Sequence, residues 1–266
     1  MTLLYAALAC GFVGPLQDAP APADPAAETH YEDRPGADPN GIDRYYMGRQ
    51  IARVMGHQGA TWLERRTRQQ EEDLNTLVKL LELEPGMVVA DIGAGSGVIA
   101  QRMALKIDGP PEGDPDAPGG VVKAVDIQPE MIARLKARMR ARGIDNVEPV
   151  LSDPDDPKLA DGSIDVAVMV DVYHEFDDPH AMIAALSKSL KPGGRLVWVE
   201  YRMEDPRVPI KQIHKMSEAQ VKKEAGRPEF GLEFVSTDAD LPRQHVITFR
   251  RPIEGEGAAE GDSAAE

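Results

Sequence analysis

The sequence predicts an α/β fold: a doubly wound sheet, mostly parallel, with helices on both faces. From residue 85 onward, short apolar runs of strand length alternate with segments whose apolar residues recur at helical spacing. Such alternation implies right-handed crossovers and a sheet that is buried on both faces. The 266 residues, 42% of them hydrophobic, suffice for one domain with a full core.

The elements of this sheet follow one another in a regular order. Pro85 and Gly86 end a helical segment, and an apolar strand begins directly after them. A Pro-, Gly- and acid-rich insertion at 107–120 precedes the second strand, so it belongs to the edge opposite the carboxyl ends of the strands. The predicted strands are 87–92, 121–126, 147–151, 164–170 and 196–200, and the predicted helices are 98–106, 129–142 and 179–190.

The chain after residue 200 predicts one more helix and a hairpin. Ser217 and Gln220 have the spacing of a capping box at a helix start. Segments 232–238 and 244–251 both have strand character and are joined by a short loop. They must pair antiparallel, because parallel neighbours need a long crossover.

The charge of the chain is unevenly distributed. The formal net charge is −15, and most of the excess acid lies in residues 1–40 and 253–266. We interpret these segments as a signal-like or disordered leader with a linker, and as a disordered acidic tail. The structured parts are then 41–84 and 85–252. The sequence has no basic stripe that would neutralise phosphates, so nucleic acid is not expected as a substrate.

The N-terminus contains the single cysteine, Cys10, which excludes an intrachain disulfide framework and a multi-cysteine metal site. It follows a short apolar stretch, and the tetrapeptide ALAC is similar to a bacterial lipoprotein cleavage box with Ala7 where leucine is usual. No Lys or Arg precedes that stretch, unlike in a secretory signal. Two alternatives stay open: an exported, periplasmic or lipid-anchored protein, and a cytoplasmic one with a disordered N-terminus or a misplaced start codon.

The stretch VVADIGAGSGVIA places glycines at a strand-to-helix turn, where a ligand can approach the backbone and the positive end of a helix. Gly95, Gly97 and Ala100 satisfy a dinucleotide pattern, which by itself is weak. Asp91 favours another ligand, because a carboxylate at this turn repels a pyrophosphate but attracts a cation. S-adenosylmethionine presents such a cation in its α-ammonium group.

Acids also end the next two predicted strands. Asp126 can accept hydrogen bonds from both ribose hydroxyls of an adenosine, whether the glycines bind a dinucleotide or S-adenosylmethionine. Asp153 can accept from the adenine amino group, or can simply form an Asp-Pro turn with Pro154. Three acids at three strand ends together favour an adenosine ligand more strongly than any one of them.

The chain contains, in this order, the segments VADIGAGSG, VKAVDIQPEM, LSDPDDP, IDVAVMVDVYHEFDDP and LKPGGRLVWVE. In order and spacing, these five segments resemble the class I S-adenosylmethionine-dependent methyltransferases, especially their type-11-like branch. The resemblance covers residues 83–252. It implies a Rossmann-like seven-stranded sheet of order 3-2-1-4-5-7-6 with strand 7 antiparallel, S-adenosylmethionine as co-substrate and a small-molecule acceptor. Three segments resemble a bacterial subgroup that often has signal-like N-termini: MGRQIARVMGHQGATWLER, VDVYHEF and LPRQHVITFRR.

The resemblance also implies which residues bind the cofactor. The glycines of the turn would contact its methionine portion, Asp126 its ribose, and Ile127 with Asp153 its adenine region. A non-catalytic S-adenosylmethionine-binding or partner-binding protein, and an NAD-type oxidoreductase, stay as alternatives. The predicted cofactor-binding residues are Asp91, Gly93, Gly95, Gly97, Asp126, Ile127, Asp153 and Asp171.

Catalytic candidates must lie at the carboxyl edge of the sheet. His174 and Glu175 follow the fourth strand, and His245 begins the reversed seventh strand at the same edge. We predict these three as catalytic, since a base helps when the acceptor is a hydroxyl or a protonated amine. Glu200 and His214 also belong to this edge. The other interpretation is that these histidines are ordinary loop or capping residues.

A metal ion is not expected, although His174, His214 and His245 with Glu175 form a possible ligand set. The histidines lack the close spacing that is typical of metal sites.

Residues 41–84 are predicted to form helices that act as a lid over the cofactor, with Trp62 or Arg65 reaching it. The alternative for this segment is a solvated helix with pairs such as Arg68 and Glu72. The helical spacing appears at residues 51, 54 and 55, and at 74, 77, 78 and 81.

Overall fold

The computed structural model describes residues 30–253. Cys10, the greater part of the predicted leader and the predicted acidic tail from residue 254 onward lie outside the described residues. The part of the predicted linker that is described has structure: residues 31–33 form a strand, and the Gly36 amide donates to Asp43 Oδ1 at 2.9 Å. Within residues 30–253, no helix has the length and apolarity to span a bilayer.

Seven strands form the main sheet and three form a smaller one. The small sheet has the order β1-β2-β3 and is antiparallel. The strands are β1 (Tyr31–Asp33), β2 (Gly41–Tyr46), β3 (Arg49–Ala52), β4 (Val88–Ile92), β5 (Val121–Asp126), β6 (Val147–Leu151), β7 (Ile164–Val170), β8 (Leu190–Tyr201), β9 (Glu233–Asp238) and β10 (Gln244–Arg250).

Helices connect the strands of the main sheet and cover its two faces. Buried apolar side chains form one hydrophobic cluster on each side of the sheet. The α-helices are α1 (Ala60–Leu63), α2 (Arg68–Glu72), α3 (Leu74–Leu80), α4 (Val98–Ile107), α5 (Pro129–Arg142), α6 (Pro179–Ser189) and α7 (Glu218–Ala225), and short 3-10 helices lie at His57–Gly59, Tyr173–Glu175, Gln212–His214 and Pro228–Phe230.

The main sheet has the order β6-β5-β4-β7-β8-β10-β9, with β10 antiparallel to both of its neighbours. Numbered within this sheet, that is 3-2-1-4-5-7-6 with strand 7 reversed, so the predicted fold class is confirmed. The central strands β4 and β7 are almost entirely buried, which explains why they are apolar without alternation apart from one aspartate each, Asp91 and Asp165.

Several predicted boundaries agree with the structure, including those of β5, β6, β7 and α5. Strand β8 is longer than expected, because the LKPGG segment is already extended and Leu190 pairs with Ile164. Ser217 caps α7 by accepting from the Gln220 amide at 3.1 Å. The Gln220 side chain donates to Glu224 instead of reaching back, so the capping box is only half formed.

Residues 41–55 differ from the predicted helical lid. They form β2 and β3, joined by Met47 and Gly48, whose φ angles are 49° and 92°. A two-residue turn with positive φ at both positions matches the twist of a β-hairpin. The spacing of Ile51, Val54 and Met55 therefore has another cause: Ile51 is buried in β3, while the other two line a cavity. In this region the first α-helix begins at residue 60, directly after the 3-10 helix His57–Gly59.

A buried ion pair attaches the small sheet to the main domain. Arg49 of β3 donates to Glu224 Oε1 at 2.9 Å and to Oε2 at 3.0 Å, and Glu224 is fully buried. The Tyr173 hydroxyl donates to the same carboxylate at 2.6 Å. A further Arg49 nitrogen donates to the main-chain oxygen of His174 at 3.2 Å. The small sheet is thereby held against the end of β7.

Replacing Arg49 by alanine should destabilise the protein strongly. The substitution leaves the Glu224 carboxylate buried without its cation, so the free energy of unfolding should fall by about 3–5 kcal/mol in urea denaturation. Arg34→Ala is the matched control, because Arg34 forms an exposed ion pair with Glu32 and should contribute about 0–1 kcal/mol. Equal, small effects for both variants would contradict a structural role for the buried pair.

Candidate functional site

A cavity of about 860 Å³ lies at the carboxyl edge of the parallel strands. It opens between β4 and its neighbours, where the strand order reverses, which is the usual ligand position in an open α/β sheet. Residues after β4, β5 and β7 form its floor, and residues 53–55, 62–63, 209–211 and 214 form its walls.

The glycine turn after β4 lets the chain pass closely under the cavity. Gly93 and Gly95 line it with φ of 71° and 54°. A Cβ on Gly93 would lie 2.4 Å from Val172 Cγ2, and one on Gly95 would lie 2.5 Å from Leu63 Cδ1. Gly97 does not line the cavity; it caps α4 with φ of 79°. Two of the three glycines thus shape the ligand space, and the third starts the helix.

Asp91 lies in β4, beside the cavity, where it lines a smaller adjoining pocket together with Arg68. Its side chain is buried, and Oδ2 has no hydrogen-bond partner among residues 30–253. Burial raises the pKa of Asp91 to about 7, against the opposing effects of the Ala100 amide and of Arg68. A buried carboxylate with a free oxygen suits a cationic ligand group.

Asp126 at the end of β5 lines the cavity and is nearly buried. Its Oδ2 accepts from the Gly95 amide at 2.8 Å, and its Oδ1 accepts from the Gln128 amide at 2.8 Å. Burial raises its pKa in spite of these backbone donors. Each oxygen keeps lone-pair capacity toward the cavity, which is what a ribose diol requires. Ile127, also on the cavity, is 39% exposed and offers an apolar surface.

Asp153 lies off the cavity, unlike its predicted position at the adenine end. Its exposed carboxylate pairs with Lys158 Nζ at 2.7 Å, and its amide donates to the Asp156 oxygen. Its neighbours Ser152 and Pro154 line the cavity instead. The Asp-Pro turn that the sequence left open as an alternative describes this position.

His174 lies on the cavity with only 2% of its surface exposed. Its Nδ1 is 2.7 Å from Glu200 Oε2, and Glu200 is fully buried. Burial disfavours the imidazolium, but the charges of Glu200, Glu175 and Asp171 outweigh it and raise the pKa of His174. Because an ionised carboxylate can only accept, the neutral imidazole carries its proton on Nδ1 and leaves Nε2 with a free lone pair.

Glu175 and His214 complete this end of the cavity. Glu175 Oε2 accepts from the Met55 amide at 3.1 Å, and Oε1 is 3.9 Å from His174 Nε2. Burial raises the pKa of Glu175. The His214 ring lies edge-on to the His174 ring with centroids 5.2 Å apart, and burial together with His174 lowers its pKa to about 4.

His245 is not part of the cavity wall, although it begins β10 at the expected edge. It is buried, pairs in register with Glu200, and its Nε2 finds no partner within the described part of the chain. Burial lowers its pKa. The sequence correctly placed Glu200 at this edge without assigning it a role, whereas the structure joins Glu200 directly to His174.

Asp171 lines the cavity with φ of 52°. Its Oδ2 accepts from Gln244 Nε2 at 3.1 Å, while its buried Oδ1 has no partner in the region 30–253. Burial, reinforced by Glu72 and Glu200, raises its pKa well above the ordinary value. Like Asp91, it presents a carboxylate oxygen that receives no hydrogen bond from the described residues.

The predicted lid helices contribute a buried network rather than a solvated surface. Arg68 donates to Glu72 at 2.7 Å and both side chains are buried, so the solvated-helix alternative is wrong. The Tyr201 hydroxyl donates to the same Glu72 carboxylate. Trp62 lines the cavity and is 47% exposed, whereas Arg65 packs over the Trp62 ring at 3.7 Å instead of reaching the cavity. The sequence missed Arg68 and Glu72 as cavity residues because their spacing is typical of surface pairs.

The cavity fits S-adenosylmethionine. The carboxylate of Asp126 suits the ribose of an adenosine, and the close backbone at Gly93 and Gly95 leaves room for the methionine portion. The oxygens of Asp91 and Asp171 that lack a partner within residues 30–253 suit a positively charged group. A pyrophosphate would meet these same acids unfavourably. A glycine turn with such acids, on a sheet of order 3-2-1-4-5-7-6, is the arrangement of the class I S-adenosylmethionine-dependent methyltransferases.

Comparison with known proteins agrees with this class. Residues 90–196 match the family model described as a methyltransferase domain. The chain is 30% identical to the nocamycin O-methyltransferase of Saccharothrix syringae over 45% of this chain and 40% of that protein. It is 28% identical to a ubiquinone biosynthesis O-methyltransferase of Vibrio atlanticus over 46% of this chain and 47% of that protein. The chain spans less than half the length of these relatives.

Comparison with solved structures gives the same result for the fold. A SAM dependent methyltransferase from Aquifex aeolicus superposes with a TM-score of 0.65 at 21% identity, covering 74% of this chain and 99% of that one. Residues 90–196 therefore belong to a methyltransferase domain that has the fold of the class I S-adenosylmethionine-dependent methyltransferases, and S-adenosylmethionine is the co-substrate that this class implies.

Replacing Asp91 by asparagine should change how stability depends on pH. The folded-state pKa of about 7 lies above the ordinary value near 3.9, so the protonated carboxyl stabilises the fold most at low pH. That contribution falls as the pH rises from about 4 to 7 and then levels off. Relative to the wild type, Asp91→Asn should gain roughly 2–3 kcal/mol of unfolding free energy between pH 5 and 8, measured by urea denaturation without ligand.

The difference in unfolding free energy between Asp91→Asn and the wild type isolates the contribution of Asp91, since the other buried acids are present in both proteins. Asp153→Asn serves as control, because Asp153 is exposed and should leave the pH profile parallel to that of the wild type. If the pH profile of Asp91→Asn were also parallel to that of the wild type, Asp91 would not titrate in this range.

Proposed function

We propose that the protein transfers a methyl group from S-adenosylmethionine to an oxygen atom of a small-molecule acceptor. One observation carries this proposal: a single cavity connects the glycine turn and Asp126 at one end with His174 and Glu175 at the other. Cofactor and acceptor can therefore meet inside it. Two of the relatives are O-methyltransferases, which supports oxygen as the acceptor atom.

The cofactor end is assigned to the residues of the turn and the strand ends. Asp126 would hold the ribose hydroxyls, Ile127 would pack against the adenine, and Gly93 with Gly95 would border the methionine portion. Asp91 and Asp171 would balance the positive charge. When bound, S-adenosylmethionine supplies a methyl group on a sulfonium, which a nucleophile can take by in-line displacement without a covalent enzyme intermediate.

The acceptor end is apolar with a few polar atoms. Val54, Phe176 and Ile210 provide apolar walls, and polar groups come from His174, Glu175 and His214 among others. Pockets of this composition bind small organic molecules and orient them by a small number of hydrogen bonds. We therefore assign the acceptor to small, largely apolar molecules that carry a hydroxyl group.

The His174–Glu200 pair is the proposed base. Glu200 fixes the ring by accepting from Nδ1, so that Nε2 faces the acceptor end with its lone pair. The negative charge of Glu200 also stabilises the imidazolium that forms when Nε2 takes the hydroxyl proton. This is the role that a carboxylate plays beside a catalytic histidine in general. Glu175 would add negative charge next to the same nitrogen.

The N-terminal segment is proposed to exclude water from the reaction. The Met55 amide donates to Glu175, and the Met55 oxygen accepts from Gln128 Nε2 at 3.0 Å, so residue 55 bridges the two ends of the cavity. Trp62 and Leu63 border the cavity from the same side. Alignment of the reactants and a dry site are the main requirements of a displacement at carbon.

Asp126→Asn should weaken binding of S-adenosylhomocysteine at least about tenfold, measured by isothermal titration calorimetry, because a buried charged acceptor of hydrogen bonds is lost. Asp153→Asn is the control: an aspartate one strand away, exposed and off the cavity, which should bind with wild-type affinity. Unchanged affinity for Asp126→Asn would show that the ribose is bound elsewhere. Tight binding of NADH, with none of S-adenosylhomocysteine, would favour the oxidoreductase alternative.

His174→Ala should lower turnover by about 10²- to 10⁴-fold while changing the affinity for S-adenosylhomocysteine little, because the base acts on the acceptor. Turnover is measured with radiolabelled S-adenosylmethionine and a panel of phenolic, quinol and amine acceptors. His57→Ala is the control, since His57 is a partly exposed histidine beside Glu130, outside the cavity. Equal rates for His174→Ala and wild type would exclude His174 from the reaction, and cofactor binding without any product from the panel would favour the non-catalytic alternative.

A further inference from the structure

The geometry points to a binding site for one divalent transition-metal ion, such as Zn²⁺ or Fe²⁺, formed by His174, Glu175 and His214. These residues come from two separate connections of the sheet, the one after β7 and the one after β8. Each offers one ligand atom, and the three atoms lie within 4.8 Å of one another. The site is at the acceptor end of the cavity.

The distances suit a site that tightens around an ion. Ligand atoms about 2.0–2.1 Å from a metal lie roughly 3–4 Å apart. His174 Nε2 and Glu175 Oε1 are already 3.9 Å apart. His214 is the last residue of a three-residue 3-10 helix, and its ring lies edge-on to that of His174. A small rotation of the His214 side chain brings its nitrogen into the same sphere.

The surroundings of two ligands match those of metal sites. A ligating histidine almost always donates its other N–H to a carboxylate or carbonyl, which orients the ring. Glu200 does this for His174, at 2.7 Å from Nδ1. The Met55 amide holds Glu175 Oε2 and leaves Oε1 for an ion. Both ligands are therefore positioned by partners that do not compete for the metal.

The donor set determines the class of ion. Two imidazole nitrogens and one carboxylate oxygen suit zinc and the neighbouring transition metals, whereas calcium and magnesium prefer oxygen ligands. Three protein ligands leave at least one coordination position open, as in catalytic sites. Since all three residues line the cavity, the open position faces the space assigned to the acceptor.

A bound ion and the proposed base use the same lone pair of His174. Nε2 can coordinate a metal or take a proton, but it cannot do both at once. If His174 acts as proposed above, an added transition-metal ion must lower methyl transfer. This consequence rests on the proposed function, whereas the metal site itself does not.

The site is tested by titrating the full-length, metal-stripped protein with each of two ions. Binding of Co²⁺ is monitored by its visible absorption, and binding of Zn²⁺ by calorimetry. One ion per chain is expected. His214→Ala and His214→Gln should each weaken binding at least about tenfold, while His57→Ala, which removes a histidine beside a glutamate outside the cavity, should leave it unchanged. Bound S-adenosylhomocysteine and an unchanged circular dichroism spectrum verify that the variants are folded.

Less than one ion per chain, or the same affinity in His214→Ala and wild type, would overturn the site. These titrations need neither an acceptor nor methyl transfer, so their result is independent of the proposed reaction. In the turnover assay, Zn²⁺ should inhibit the wild type at concentrations that fill the site, and a chelator should restore the rate. Full activity of the zinc-saturated protein would overturn the competition at Nε2.

Discussion

The buried ion pair between Arg49 and Glu224 connects the parts of this structure that matter for function. It attaches the small antiparallel sheet to helix α7 of the main domain, and the same guanidinium reaches the main-chain oxygen of His174. The segment after the small sheet then continues across the cavity, where the Met55 amide meets Glu175. A single charged contact thus helps to place both the wall of the cavity and the end where His174 and Glu175 lie.

The main sheet could be predicted from sequence because its physics is local and repetitive. Strands such as β7 are buried on both faces and are therefore apolar runs, in β7 interrupted only by Asp165. Helix α5 begins with Pro129 and ends before Gly143, two strong boundary signals. The small sheet could not be predicted in this way. Its strands are short, and their hairpin depends on Met47 adopting a left-handed conformation that the residue type does not signal.

In the candidate site, too, some residues could be predicted from the sequence and others could not. Asp126 and the glycine turn were placed on the cavity because parallel strands all end at one edge. Asp153 and His245 end at that edge too, yet one turns outward to Lys158 and the other is buried behind the cavity wall. The partnership of His174 with Glu200 joins two strands and depends on side-chain direction. Sequence position defines the edge, whereas rotamers decide which residues face the ligand.

The hydrogen bond from the Gly95 amide to Asp126 has a consequence for binding thermodynamics. It ties the turn after β4 to the end of β5, and a second amide, from Gln128, holds the other carboxylate oxygen. The protein's own hydrogen bonds therefore fix the surface that Asp126 presents to the cavity. A ligand arriving there has little chain entropy to remove, so more of its contact energy remains available as affinity.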